Sequence, residues 1–208
     1  METKLINISN LDLNILYRVY NTGGVIAYPT DTIYGLGCNP YDHQACDKII
    51  SLKQRSQNKS LLVLVSKDFD LTKIANLTPT QNHILSKLKN MSVTVILSPK
   101  PDSNLSPLVT NNNKSIAVRQ VSEGLVSKIL DKVGIITSTS CNISNGQVLT
   151  DANQIKQVFD GKLDLIIDAQ TPQNTTPSTI ISLIDKPQLI RQGAVEFNTI
   201  LKLITQKD

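Results

Sequence analysis

The chain reads as an α/β protein, an inference that rests on three features. Short apolar runs rich in Ile, Val and Leu, the signature of strands buried on both faces, alternate in regular order with segments of helical spacing. The 208 residues suffice for one sizeable core and favour a single domain, 1–208, over two small ones. No apolar stretch approaches the roughly 18 residues that a membrane span requires.

The elements follow in order. After Ser9 and Asn10, the spacing of Ile15, Leu16, Val19 and Tyr20 predicts a helix that Gly23 and Gly24 end. It delivers the chain into a strand, "VIAYP" at 25–29. Asp42 is a candidate N-cap for a helix through Ala45, Ile49, Ile50 and Leu52, and "LLVLV" at 61–65 reads as a buried strand. Ile84, Leu85 and Leu88 predict a further helix, "VTVIL" at 93–97 and "SIAVR" at 115–119 two strands, and 125–130 another helix. "GIITST" at 134–139 is a strand entering the polar loop "SCNISNGQ". Thr150 or Asp151 caps a helix through Phe159, and "LDLIIDA" at 163–169 and "STIISLI" at 178–184 are the last strands. "AQTPQNTTPS" at 169–178 is a surface loop of the same domain. Strand order and the balance of parallel and antiparallel pairs are not legible at this level.

Charge and cysteine content narrow the function classes. A net charge of +4 is spread along the chain, which suits an anionic small molecule as well as RNA and does not form a nucleic-acid tail. Three scattered cysteines, Cys38, Cys46 and Cys141, fit reduced thiols better than a disulfide framework. With Glu2 and no basic then apolar leader at the N-terminus, the expected location is the cytoplasm, with no membrane association.

Several strands end in groups able to bind a ligand: Thr30 and Thr32 after the first, Arg119 after "SIAV", and Ser138, Thr139, Ser140 and Asn142 after "GII". Ligands of open α/β sheets commonly sit in a crevice beyond strand ends, so these residues either converge on one cleft or are ordinary turn residues. "KQRSQNKS" at 53–60 brings Lys53, Arg55 and Lys59 together, a pairing suited to polyphosphate or to a solvated face. "SNG" at 144–146 is either an anion-binding nest or a plain turn. There is no P-loop, and Gly35-Leu36-Gly37 lacks the third glycine of a dinucleotide fingerprint. Cys38, His43 and Cys46 lack a fourth zinc ligand, and with two histidines no nucleophilic triad is discernible. No metal site is expected.

Four segments in this order carry a family resemblance: "GGVIAYPTDTIYGLGCNP", "SLKQRSQNKSLLVLVS", "SIAVRQ" followed by "IITSTSCNISNG", and "PSTIISLIDKPQLIRQGAV". Over about residues 12–195 the chain resembles the YrdC-type threonylcarbamoyl-AMP synthase domain in its short form. The resemblance implies a single-domain twisted open mixed sheet with flanking helices and a large basic cavity. It implies that ATP, L-threonine and bicarbonate or CO2 give threonylcarbamoyl-AMP and pyrophosphate, with Mg2+ assisting. Partner transfer proteins would then use the product to modify adenosine 37 of tRNA. Alternatives are a module that binds double-stranded RNA or tRNA without catalysis, and a catalytically divergent paralogue.

Carried over residue by residue, the resemblance implies that Thr32, Arg119 and Ser140 contact threonine. It implies ATP contacts for Arg55, Lys59, Ser115, Asn142, Thr150 and Arg191, and a catalytic role for Lys53 and Arg55 of the K-x-R motif. Thr30, Thr94, Ser138 and Ser178 match motif positions without a settled role, and Asp31 is expected mainly to hold its turn. Departures are "NMSVT" at 90–94 where the family usually has P-G-P-V-T, Cys141 in the S-A-N-like loop, Ser56 after Arg55, and Leu64 where longer relatives carry histidine. None removes a group that the chemistry clearly needs.

Overall fold

Capping chemistry sets the helix boundaries. In the structure, a computed structural model that describes residues 2–54, 60–144, 146–171 and 176–205, β1 (Lys4–Asn7) leads into α1 (Leu13–Asn21). Asp12 caps that helix by accepting from the Asn14 amide at 2.8 Å, whereas Ser9 and Asn10 lie in a preceding 3-10 turn. Gly23, at φ +71°, takes the chain past the C-terminus into β2 (Ile26–Pro29) and β3 (Tyr34–Gly37). Asp42 caps α2 (His43–Leu52) through the Ala45 amide at 3.0 Å, as its position predicts. After β4 (Leu62–Ser66), Thr78 and Gln81 form a reciprocal capping box at the start of α3 (Pro79–Leu88). Then come β5 (Val93–Leu97), β6 (Ile116–Val121), α4 (Gly124–Val133) and β7 (Ile135–Ser140). Asp151, rather than Thr150, caps α5 (Ala152–Phe159) by accepting from the Asn153 and Gln154 amides. Strands β8 (Leu165–Asp168), β9 (Thr179–Ser182) and β10 (Gln188–Arg191) and helix α6 (Phe197–Thr205) complete the described chain.

The strands form one open sheet of ten in the order β1-β8-β2-β3-β7-β4-β6-β5-β9-β10. It is mixed: β1/β8, β8/β2, β4/β6 and β5/β9 are parallel, and the remaining neighbours antiparallel. This is the α/β architecture that the sequence predicts. Strands β1, β3 and β10 and helix α6 are additions to that reading. The β2/β3 hairpin depends on Gly37, where a Cβ would stand 2.4 Å from the Thr137 carbonyl oxygen and 2.7 Å from the Tyr28 ring. Only glycine lets Tyr28 cross that position and donate its hydroxyl to Thr137 O at 2.9 Å.

Alternate residues of the central strands serve opposite faces. Val25, Ala27, Val63, Val65, Val93, Val95, Ile116, Val118 and Ile181 pack in one core with α2, α3, α5 and α6. Ile26, Tyr28, Leu64, Ile136, Leu165 and Ile167 join a second core beneath α1 and α4. That pair of helices covers only part of its face. The portion over β5, β6 and β9 carries Thr94, Ile96, Ala117, Arg119 and Ile180, and these line a cavity.

Cys38, Cys46 and Cys141 are free thiols in the buried interior, with the sulfurs of Cys38 and Cys46 3.8 Å apart. His43 does not join them in a ligand set; its Nδ1 lies 3.0 Å from the Ser106 hydroxyl. Burial pushes the Cys141 thiol up to about 12. Because all 3 thiols are buried, the folded protein should leave an aromatic disulfide reagent unreacted at neutral pH, and denaturation should release them to it. A native thiol that reacts within seconds would contradict this packing.

Candidate functional site

The uncovered part of the sheet face is the floor of a cavity of about 490 Å³, within the ordinary range of ligand sites of about 300–1,000 Å³. Leu62 and Leu64 from β4, Ala117 from β6 and Ile96 and Ile180 from β5 and β9 supply the apolar floor. The turn 30–33, the end of β7 and the exposed Arg191 at the end of β10 supply its polar wall. The ligand space thus lies over the sheet face, and not simply in a crevice beyond the strand ends. Of the groups proposed from strand-end positions, Thr30, Thr32, Arg119, Ser138, Thr139 and Ser140 line it, and Asn142 does not. So do Thr94, Ser178 and Arg191.

The wall is built from hydroxyls whose roles differ. Thr30 shapes its own turn, because Oγ1 accepts from the Thr32 and Ile33 amides and donates to Ile33 O at 2.6 Å. The Thr32 hydroxyl lies 3.1 Å from it. Thr94 and Ser178 share a hydrogen bond of 2.8 Å across β5 and β9, both buried, and Arg191 Nη2 donates to Ser178 O at 2.9 Å.

Arg119 is the charged centre. Its Nη2 donates to Asp31 at 2.5 Å and to the Ser92 hydroxyl at 3.1 Å. Asp31 therefore does more than hold its turn: it ties that turn to Arg119 on β6. The Arg119 side chain is 11% exposed, while that of Asp31 is 53% exposed. Arg119 Nε is buried without a hydrogen-bond partner among the described residues. A buried N–H left unpaired costs about 1–3 kcal/mol, so an acceptor from a ligand is the natural complement of this guanidinium.

Lys53 is bound to the loop that follows β7. It is 2% exposed, absent from the described cavity wall, and its ammonium donates to Ser140 O, Asn142 O (2.8 Å) and Asn142 Oδ1 (2.9 Å). Its own carbonyl accepts from the Ser144 amide at 2.8 Å. Asn142 is buried beside it, and Ser115 bonds to the Asn111 side chain at 3.3 Å; neither lines the cavity, nor does the exposed Thr150. Arg55 and Lys59 lie outside the described residues. In the "SNG" segment the Ser144 and Gly146 N–H groups donate to Lys53 O and Ile143 O, and Asn145 lies outside the described residues. Among the described residues, no cluster of three or more His, Cys, Asp or Glu could hold a metal.

Sequence reasoning missed Tyr34, Ile180 and Ile190 on the cavity wall. The period-2 alternation of "VTVIL", with Thr94 and Ile96 on one face, is the signal that leads to such floor residues.

The profile of the Sua5/YciO/YrdC family, described as telomere recombination, matches residues 18–193. The chain belongs to this family. It is 33% identical over 184 residues to the threonylcarbamoyl-AMP synthase of Psychromonas ingrahamii, covering 85% of this chain and 94% of that one. It is 31% identical over 177 residues to the Bacillus subtilis enzyme of the same name, covering 82% of this chain and 50% of the relative. Among solved family structures, P. abyssi Sua5 complexed with L-threonine superposes with a TM-score of 0.86 at 27% identity, over 98% of this chain and 61% of that one. The chain thus spans about three-fifths of the Sua5 length. E. coli YciO shares the fold, with a TM-score of 0.81 at 24% identity over 95% of this chain and 99% of that one.

The Thr94–Ser178 pair lends itself to a mutant cycle. T94V alone should cost about 1–3 kcal/mol, because it strands a buried hydroxyl, whereas T94V/S178A should recover most of that loss. Urea unfolding of the four chains measures it. Strictly additive losses would show that the two hydroxyls do not depend on each other.

Proposed function

We propose that this chain is a threonylcarbamoyl-AMP synthase acting in the cytoplasm. The observation that carries the reading is the unpaired buried N–H of Arg119 on a hydroxyl-lined cavity, in a member of a family whose P. abyssi Sua5 is described in complex with L-threonine. The guanidinium takes the threonine carboxylate, and Thr32 and Ser140 take its polar groups. Arg55, Lys59 and Arg191 are assigned to ATP, and Ser115, Asn142 and Thr150, carried over with them, would meet it only beyond the cavity wall.

The reaction begins with addition of the threonine amine to CO2 with loss of a proton, or to bicarbonate with loss of water, giving a carbamate. A carbamate oxygen attacks the α-phosphorus of ATP and pyrophosphate leaves. Both reactants are anions, so the site must offset their repulsion and stabilise charge on the departing pyrophosphate. Cations held in a desolvated cleft do this more strongly than ions in water, and Arg55, Lys59 and Arg191 are assigned that role. Holding the reactants in line contributes up to about 7–11 kcal/mol in favourable cases. No side chain need form a covalent bond to substrate. Lys53 acts from beneath, by holding the 140–142 segment. Magnesium would neutralise part of the triphosphate charge. The described residues offer no cluster to hold the ion, so it would enter on the nucleotide.

The product is an activated mixed anhydride, whose consumption requires an acyl-transfer partner; transfer to adenosine 37 of tRNA is the assigned fate. Pyrophosphate release should require ATP, L-threonine and bicarbonate together. R55A should abolish it with the circular-dichroism melt unchanged, and R119A should raise KM for threonine by about tenfold or more, the scale of a lost charge-assisted hydrogen bond. Release without threonine would point to a different adenylating activity. No release, with RNA binding that weakens steeply with salt, would favour an RNA-binding module.

A further inference from the structure

The segment after β7 contains a hydrogen-bond chain with only one possible polarity. Lys53 Nζ is a donor and never an acceptor, so the Asn142 atom 2.9 Å from it must be the amide oxygen. The other end of that amide agrees: Nδ2 donates to Gly146 O at 2.8 Å. A flipped amide would set N–H against ammonium at one end and oxygen against oxygen at the other. Asn142 Oδ1 also lies 2.7 Å from Ser140 Oγ, and an amide oxygen carries no hydrogen. The single proton of the Ser140 hydroxyl is therefore spent on Asn142. What Ser140 turns toward the cavity it lines is lone pairs only.

We infer that Lys53 is a positioning residue that, through Asn142, makes Ser140 an obligate acceptor for the N–H of the amino-acid substrate. The inference rests on the threonine reading above and adds the orientation of the substrate. Arg119, a donor-only group, takes the carboxylate, and Ser140 takes the nitrogen. The assignment suits the chemistry at both stages, because the threonine nitrogen keeps one N–H after carboxylation. The same acceptor thus serves amine and carbamate. Two further ties keep the relay in place: the Ser140 and Asn142 carbonyls also accept from Lys53, and the Lys53 carbonyl accepts from the Ser144 amide. The residue that opens the K-x-R segment is in this way bracketed to the loop that reads the substrate.

The test compares binding of L-threonine with that of 3-hydroxybutanoate, which keeps carboxylate and hydroxyl but lacks the amine. Calorimetry on the full chain, without ATP, gives the ratio of the two affinities. S140A should weaken L-threonine by about tenfold and leave 3-hydroxybutanoate unchanged, so that the ratio collapses. K53M frees the Asn142 amide to turn and should reduce the ratio likewise, with K53M/S140A no worse than S140A alone. K53R keeps a donor-only cation and should retain most of the discrimination, which also carries the Lys53 assignment if K53M does not melt cooperatively. Equal weakening of both ligands in S140A, or an unaltered ratio in K53M, would overturn the inference while leaving the threonine reading intact. A wild-type chain that binds no threonine overturns both.

Discussion

A sheet face covered over only part of its width is the constraint on which the rest of this structure depends. Strands in the middle of a mixed sheet are normally buried on both sides. Here one face is packed beneath α2, α3, α5 and α6, while α1 and α4 cover only part of the other. Residues on the open part cannot be chosen for burial alone. Val93, Val95 and Leu97 go to the core, and Thr94 and Ile96, one position out of phase, form the floor of a cavity. The same alternation separates Ile116 and Val118 from Ala117 and Arg119. A slip of one residue in β6 would send the guanidinium into the apolar core, so the register of the sheet and the chemistry of the site are fixed together.

Hydroxyls dominate the cavity for a related reason. A group on a half-open floor is partly desolvated and needs a partner whether or not a ligand is present. Thr94 and Ser178 partner each other, Thr30 its own turn, and Ser140 Asn142. Each can then offer a ligand its remaining capacity without leaving a stranded polar atom when the site is free. Arg119 is the exception, with two donors engaged and Nε unpaired. The largest unmet hydrogen-bonding demand on the wall thus coincides with its most buried charge.

Much of this was legible in the sequence because it is local. Asp42 as N-cap, the strand-helix alternation and the placing of Thr30 and Thr32 just after the first strand follow from residue chemistry within a few positions. What was not legible depends on distant chain. "YGLG" looks like turn material, and it becomes β3 because Tyr28 and the β7 backbone fill the space a side chain would need at Gly37. "QLIR" is a short, mostly exposed edge strand, with no burial pattern to announce it. Lys53 belongs to a basic run that suggests a phosphate site, yet its ammonium is buried beneath a loop 87 to 89 positions later in the chain. Charge in a sequence gives the sign of a group and not its direction.

The departure from the family pattern at 90–92 shows how local sequence and site chemistry compensate. Where the family resemblance implies prolines around a glycine, this chain has Asn90, Met91 and Ser92. A proline ring offers no side-chain acceptor, but the Ser92 hydroxyl accepts from Arg119 Nη2 at 3.1 Å. The segment is also fixed without proline's rigidity: Ser92 O accepts from the Thr179 amide at 3.1 Å, the Met91 amide donates to Leu88 O at 2.9 Å, and Met91 packs against the core. These backbone hydrogen bonds tie the segment to α3 and β9. The exchange adds a second anchor to the guanidinium, beside Asp31, and so restricts its motion on the cavity wall. An arginine held at one nitrogen by two neighbours presents its remaining donors in a fixed direction, which is the condition for reading a carboxylate by geometry as well as by charge.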